Sequence, residues 1–246
     1  MNIVVPMAAD SQAFKDKGYP FCKSLVEIRG KPMIERVWEC LLPIEADRHV
    51  FIIRKDDARQ SHLDHVLKLM NPACTVVLSD APTGGAVCTV LLAIDALDPE
   101  KELIVANGDQ LLLFDVFAVI QSFRKQCFDA GTVVFDSVHP RWSFVRVDEQ
   151  GLVTEASEKR PISRHATAGF YYFRRAADFI AAAFRMIAKD AHVGGSFYVC
   201  PVLNEMVLNH ARIGTHSIDR DAYVSLANPQ NVEEYEQRLS QERTKP

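Results

Sequence analysis

The sequence predicts an α/β fold, a doubly wound and mostly parallel sheet with antiparallel strands completing one side. Three observations predict it. Residues 2–6 (NIVVP), 49–54 (HVFIIR), 74–78 (CTVVL) and 103–106 (LIVA) are apolar throughout, as strands covered on both faces are. Helix-length segments of ten or more residues separate these strands. Beyond about residue 125 the pattern changes to short strands with hairpin signals.

Strand 2–6 runs directly into a loop of small and polar residues, 7–21, with Lys23 just beyond it. A second apolar run, 25–28, leads through Gly30-Lys31-Pro32 to a helix. On that helix Ile34, Val37, Trp38 and Leu41 recur at the spacing of one buried face. Strand 49–54 precedes a helix over 56–70 with Leu63, Val66, Leu67 and Met70 on one side. Strand 74–78 is followed by the loop 79–85 (SDAPTGG) and a helix over 86–97. Strand 103–106 ends in Asn107-Gly108-Asp109-Gln110. A parallel strand that ends in a loop of small side chains is where open α/β sheets bind nucleotides. Residues 1–125 therefore read as a nucleotide-binding half.

In the second half, 126–246, strands are expected at 131–135, 143–147 and 152–155. Asp148-Glu149-Gln150-Gly151 marks the turn between the last two. A strand over 165–173, an Ala-rich helix over 176–189, a break at Gly194-Gly195 and a helix over 198–209 follow. A strand over 213–218 and a polar helix over 229–243, with Pro229 in its first turn, complete the chain. No repeat, low-complexity tract or linker divides it, so 1–246 reads as one domain with a cleft.

At 246 residues the chain can bury a substantial core, and 48% hydrophobic and 24% charged residues are ordinary for a globular protein. A net charge of −4 with scattered Lys and Arg argues against nucleic-acid binding. No apolar run approaches the ~20 residues that span a bilayer, and the N-terminus reads as a strand and not as a signal peptide. Six separated cysteines without a C-x-x-C pair suit free thiols in a reducing cytoplasm. Cys22, beside Lys23, reads as a small loop residue in preference to a reactive thiol. Oligomeric state is left open, a homo-oligomer included.

Phe21-Cys22-Lys23-Ser24-Leu25 and Gly30-Lys31-Pro32-Met33-Ile34 resemble the N-terminal signature of the sugar-nucleotidyltransferases, the nucleoside-diphosphate-sugar pyrophosphorylases. Where that family carries glycines and an Arg, this chain has Ala8-Ala9-Asp10-Ser11-Gln12-Ala13. A second match is Glu158-Lys159-Arg160-Pro161 followed by Ala168-Gly169-Phe170-Tyr171, similar to the family's acceptor-contacting Glu-Lys-Pro and Gly-aromatic strand.

The resemblance implies a Rossmann-like nucleotidyltransferase fold whose nucleotide contacts are Met7, Ala8, Ala9, Asp10, Ser11, Lys23, Gly84, Gly85, Asn107 and Gly108. Glu158, Lys159 and Gly169 would contact the acceptor. Asp109 would hold Mg²⁺, a hard ion suited to carboxylate and phosphate oxygens; its other reading is a helix cap. Ser225 stands where the family has a second acidic metal ligand, with Asp221 a nearby candidate. The implied substrates are an NTP and a small phosphorylated acceptor, for surface or capsular polysaccharide synthesis. Lys23 and Asp109 would be the catalytic pair, since alignment and charge neutralisation do most of the work in such a transfer. The alternatives are an NDP-sugar glycosyltransferase of related fold and a nucleotide-binding regulatory pseudoenzyme.

Overall fold

The computed structural model describes residues 1–242. β1 (Asn2–Met7) leads into α1 (Gln12–Asp16), a short helix within the expected loop, and then a 3₁₀ turn at Lys23–Leu25. The apolar run 25–28 is not a strand of the main sheet. β2 (Glu27–Ile28) and β3 (Lys31–Pro32) form a hairpin about Arg29 and Gly30, both at positive φ, 50° and 74°. Two consecutive left-handed residues make the tight turn that closes such hairpins.

α2 (Met33–Leu41) buries Ile34, Val37, Trp38 and Leu41, the face its periodicity marks. β4 (Arg48–Arg54) follows. The helix expected over 56–70 is two helices, α3 (Lys55–Ser61) and α4 (Leu63–Met70), broken at His62 with φ 51°. The break re-aims α4 so that Leu63 and Leu67 enter the core, while Val66 is only half-buried. After β5 (Thr75–Ser79), the helix expected over 86–97 ends early. α5 (Ala86–Leu91) gives way to a 3₁₀ turn at Ile94–Ala96, an arrangement that buries both Ala93 and Leu97.

β6 (Leu103–Ala106), β7 (Gln110–Leu112) and α6 (Val116–Lys125) close the first half. The second half holds β8 (Ala130–Asp136), β9 (Ser143–Val147), β10 (Val153–Glu158), β11 (His165–Phe173), α7 (Ala176–Ala188) and α8 (Val202–Val207). The helix expected from 198 thus begins at Val202, because 198–201 form a strap along the cavity described below. β12 (Ile213–Ser217), β13 (Tyr223–Ser225) and α9 (Pro229–Glu242) end the fold. Residue 243, the expected end of the last helix, lies outside the described residues.

The main sheet runs β10-β9-β11-β6-β1-β4-β5, with β8 joining β11 to β12. β6, β1, β4 and β5 are mutually parallel, and β11 closes antiparallel on β6. Alternate residues of β1 serve opposite cores: Ile3 and Val5 pack into one cluster, Val4 into the other. The sheet is therefore buried on both faces, which is why its strands read as apolar throughout.

Candidate active site

The chain proceeds from β1 outward to β4 and β5, then returns to place β6 on the other side of β1. The loops leaving β1 and β6 consequently diverge at one edge of the sheet, the crevice where open α/β sheets bind ligands. Two local devices bring these loops together. Ser11, buried at the turn after β1, accepts the backbone N–H of Lys23 on its Oγ at 3.0 Å. Gly108, just past β6, lies so close to β1 that a Cβ there would stand 2.6 Å from Met7 Cγ. The result is a direct contact: Lys23 Nζ donates to Asp109 Oδ2 at 2.7 Å, with side chains only 12% and 23% exposed. The loop after β1 and the carboxylate after β6 converge as expected.

Asp109 lies on a cavity of about 280 Å³, between the parallel sheet and the antiparallel half. Asn107, Glu158 and Gly169 line it as well. Gly169 has φ 60°, and a Cβ on it would fall 2.3 Å from Asn107 Nδ2. Its carbonyl accepts from the Asn107 N–H at 3.2 Å and from Gln110 Nε2 at 2.9 Å, which fixes the turn that carries Asp109. Glu158 is buried and accepts from the Ser143 hydroxyl; burial pushes its carboxyl above the usual range. Lys159 Nζ donates to the Tyr198 hydroxyl at 2.9 Å, and that bond holds the ammonium pKa above its ordinary value. Tyr198 in turn lines the cavity.

Some of the expected contacts lie elsewhere. Met7, Ala8, Ala9, Asp10 and Ser11 do not line this cavity, nor do Lys23, Gly84, Gly85, Gly108 and Lys159; Asp10 faces Arg54, Oδ1 to Nη1 at 3.2 Å. Gly84 and Gly85 pack against Phe197, the residue just before the 198–201 strap, whose N–H donates to the Gly84 carbonyl at 2.7 Å. Asp221 lines an adjoining groove and not the Asp109 cavity. Cys22 is buried, and burial raises its thiol pKa, which suits the small-residue reading.

The structure adds residues that sequence reasoning missed. Thr167 and Tyr171 line the cavity together with Gly169, at the spacing of one strand face. Period-two counting from Gly169 would have found both. Arg141, Trp142 and Ser143, at the start of β9, and Tyr198 and Cys200, on the strap, carried no such signal.

For a metal, the available donors are hard oxygens. β13 pairs with β7 so that Ser225 stands opposite Gln110, and Asp109 and Ser225 line the same cavity. Among the described residues no group of three or more His, Cys, Asp or Glu could hold a metal ion. This set fits Mg²⁺ arriving with phosphate and water oxygens, not a metal caged by protein alone.

A lysine–carboxylate pair at the switch point of a parallel sheet, its carboxylate on a cavity closed by an antiparallel half, suits a nucleotidyltransferase. The chain belongs to the MobA-like NTP transferase domain family, whose model matches residues 11–162. That span includes Lys23, Asp109, Glu158 and Lys159, and the chain is accordingly a nucleotidyltransferase-type enzyme. No curated protein matches significantly.

Among solved structures it is similar to a nucleoside-diphosphate-sugar pyrophosphorylase from Vibrio cholerae RC9. The TM-score is 0.83 at 23% identity, over 96% of this chain and 99% of that one. A putative glucose-1-phosphate thymidylyltransferase from Bacillus anthracis, in complex with a sucrose, gives a TM-score of 0.77 at 16% identity, over 96% and 94%. HddC from Yersinia pseudotuberculosis gives 0.67 at 18%, over 97% and 99%. At these identities the likeness is one of fold.

Proposed function

We propose that this enzyme transfers a nucleoside monophosphate from an NTP to a sugar phosphate, releasing pyrophosphate and an NDP-sugar. The observation that carries the reading is the Lys23–Asp109 contact at 2.7 Å, with Asp109 on a cavity that Asn107, Glu158 and Gly169 also line. An oxygen of the acceptor phosphate attacks the α-phosphorus. A new P–O bond forms, the α–β bridge breaks, and its electron pair leaves on pyrophosphate. Charge accumulates on phosphate oxygens, so the groups that matter are cations and donors held in place beforehand.

Lys23, fixed through Ser11, supplies an ammonium beside the triphosphate. Glu158 accepts hydrogen bonds from acceptor hydroxyls, and Lys159, tethered to Tyr198, faces the acceptor phosphate. Asn107 and Gly108 shape the turn under the nucleotide. Asp109, with the Ser225 hydroxyl, would hold Mg²⁺, which when bound neutralises phosphate charge. The names of the similar structures, a nucleoside-diphosphate-sugar pyrophosphorylase and a glucose-1-phosphate thymidylyltransferase, support the acceptor class. An NDP-sugar is an activated glycosyl donor, which fits synthesis of a surface or capsular polysaccharide. Six free cysteines fit a cytoplasmic setting.

The test is pyrophosphate release with each of the four NTPs against a panel of sugar phosphates in Mg²⁺. One pair should turn over, and Asp109→Ala should lower its rate by about 100-fold or more. No productive pair, or an Asp109→Ala variant with near-normal turnover, overturns the reading.

A further inference from the structure

The Lys23–Asp109 contact bears on which form of the metal the site admits. Among the described residues it is the one ion pair that either side chain forms. Asp109 is fixed through its backbone. Its carbonyl accepts the Leu226 N–H at 2.8 Å, and the adjoining Asn107 N–H and Gln110 side chain both donate to the Gly169 carbonyl. Lys23 is anchored by its main chain: Ser11 Oγ accepts its N–H at 3.0 Å, and its carbonyl accepts the Val26 N–H at 3.0 Å. Beyond those anchors runs a flexible four-carbon stem that ends in a compact, strongly hydrated charge. The carboxylate is the stationary partner and the ammonium the adaptable one.

The charge around this pair does not favour a bare dication. Lys23 Nζ, at 2.7 Å, cancels the Asp109 charge and takes up its Oδ2. Arg141 adds positive charge to the cavity that Asp109 lines. Glu158, the other acid on that cavity, is committed to the Ser143 hydroxyl, and its burial favours the uncharged form. Ser225, which shares the cavity with Asp109, is neutral. Mg²⁺ dehydrates reluctantly and uses one or two carboxylates together with substrate phosphates, so a site without net negative charge leaves it in water. A triphosphate alters both sides of that balance. Its oxygens offer the Lys23 ammonium another acceptor, and they supply the negative charge that the side chains lack.

Resting on the proposed transfer reaction, we infer that Lys23 keeps Asp109 closed to free divalent cations, so that the enzyme takes its metal only together with a triphosphate. Lys23 then has two duties from one position. Paired with Asp109 it stands in for the cation; turned to the phosphates it yields Oδ2 and neutralises charge in the transfer. The substrate selected at this site is the NTP with its dication, and free Mg²⁺ is not a ligand on its own.

Mn²⁺ tests the exclusion without nucleotide, acceptor or turnover. The whole chain and its Lys23→Met, Asp109→Asn and double variants are titrated with Mn²⁺, and the free ion is read by electron paramagnetic resonance. Lys23→Met should bind Mn²⁺ about tenfold or more tightly than the parent, a conservative factor for removing a unit charge a few ångströms from a dication. The double variant should lose that gain. Parent and Asp109→Asn should bind alike, because Asp109 is closed in the parent. In equilibrium dialysis the parent should retain Mn²⁺ with at least one of the four NTPs. Circular dichroism establishes that the variants are folded, and Lys23→Gln replaces Lys23→Met if that one is not. Mn²⁺ held by the parent as tightly as by Lys23→Met overturns the inference, as does a gain that survives in the double variant. Weaker binding by Asp109→Asn than by the parent, or retention with none of the NTPs, overturns it too. Turnover of an NTP and a sugar phosphate by a parent that binds free Mn²⁺ at Asp109 would reject the exclusion alone. Exclusion without any productive sugar phosphate would reject the acceptor alone.

Discussion

Gly85 offers the sharpest structural test, because the adjacent Gly84 is its control. Gly85 sits at φ 116° and ψ −179°, a backbone region essentially restricted to glycine. A Cβ there would stand 2.6 Å from both the backbone N and the backbone O of Phe197. These are main-chain atoms, so no rotamer change relieves the collision. They also make the clamp itself: the Phe197 N–H donates to the Gly84 carbonyl at 2.7 Å, and the Val87 N–H donates to the Phe197 carbonyl at 3.0 Å. Backbone strain of about 1–3 kcal/mol and two weakened hydrogen bonds of about 1 kcal/mol each bring Gly85→Ala to roughly 3–5 kcal/mol. For a chain of this size about 1 kcal/mol moves the melting temperature by ~2–4 °C, so the loss is roughly 10 °C. At Gly84, where φ is ordinary, a Cβ would meet the Cys88 Sγ at 3.2 Å, a side chain able to shift, and the Phe197 ring at an ordinary 3.6 Å, and Gly84→Ala should cost about 1 kcal/mol or less. Thermal melts of the two variants followed by circular dichroism decide it. If they melt within about 2 °C of each other, the clamp argument is wrong.

Two further outcomes follow from burial. The Glu158 carboxyl has a raised native pKa, so the folded state holds that proton more tightly than the unfolded chain does. Its contribution is fully present below the ordinary Glu pKa of about 4.3 and is lost as pH rises through the native value. Glu158→Gln should flatten the fall in melting temperature over that window, and identical slopes for variant and parent would contradict it. Among the thiols, Cys127 is exposed, whereas burial pushes Cys200 up to about 12. Iodoacetamide followed by peptide mass spectrometry should find Cys127 alkylated in the native protein and Cys200 only after unfolding; early labelling of Cys200 would contradict its burial.

What the sequence made legible, and what it hid, divides along physical lines. Continuous apolar strands announced burial on both faces, and residues of β1 do alternate between two cores. The turn at 29–30 was hidden because nothing about Arg29 signals a left-handed backbone. The break at His62 was hidden for the same reason. Asp109 and Lys23 were legible through a motif, yet the parts that hold them were not. Ser11 read as a nucleotide contact, and its hydroxyl is committed to the Lys23 N–H. Gly85 read as a nucleotide contact, and in the fold its backbone packs against Phe197. Glycine records that something comes close, but only tertiary structure says what. The run 165–173 read as a strand, and it serves both cores: Ala166, Ala168, Phe170 and Tyr172 pack into one and Tyr171 and Phe173 into the other, while Thr167, Gly169 and Tyr171 also line the cavity.

The position of the site follows from strand order more than from any single loop residue. β1 and β6 are parallel neighbours in register, Asn2 beside Leu103, so their carboxyl ends reach the same edge whatever sequence follows. The path β1-β4-β5 moves one way and β6 the other, which opens the crevice between them. Residues 8–13 lack the glycines and arginine of the resembling family, and Lys23 still meets Asp109 at 2.7 Å across 86 positions of sequence. Loop composition can therefore vary without relocating that contact. The antiparallel half contributes independently, because β11 is fixed to β6 by its own register, Phe170 beside Ala106. That pairing delivers Gly169 to the turn carrying Asp109, so the cavity wall at Gly169 and the carboxylate are set by one strand contact.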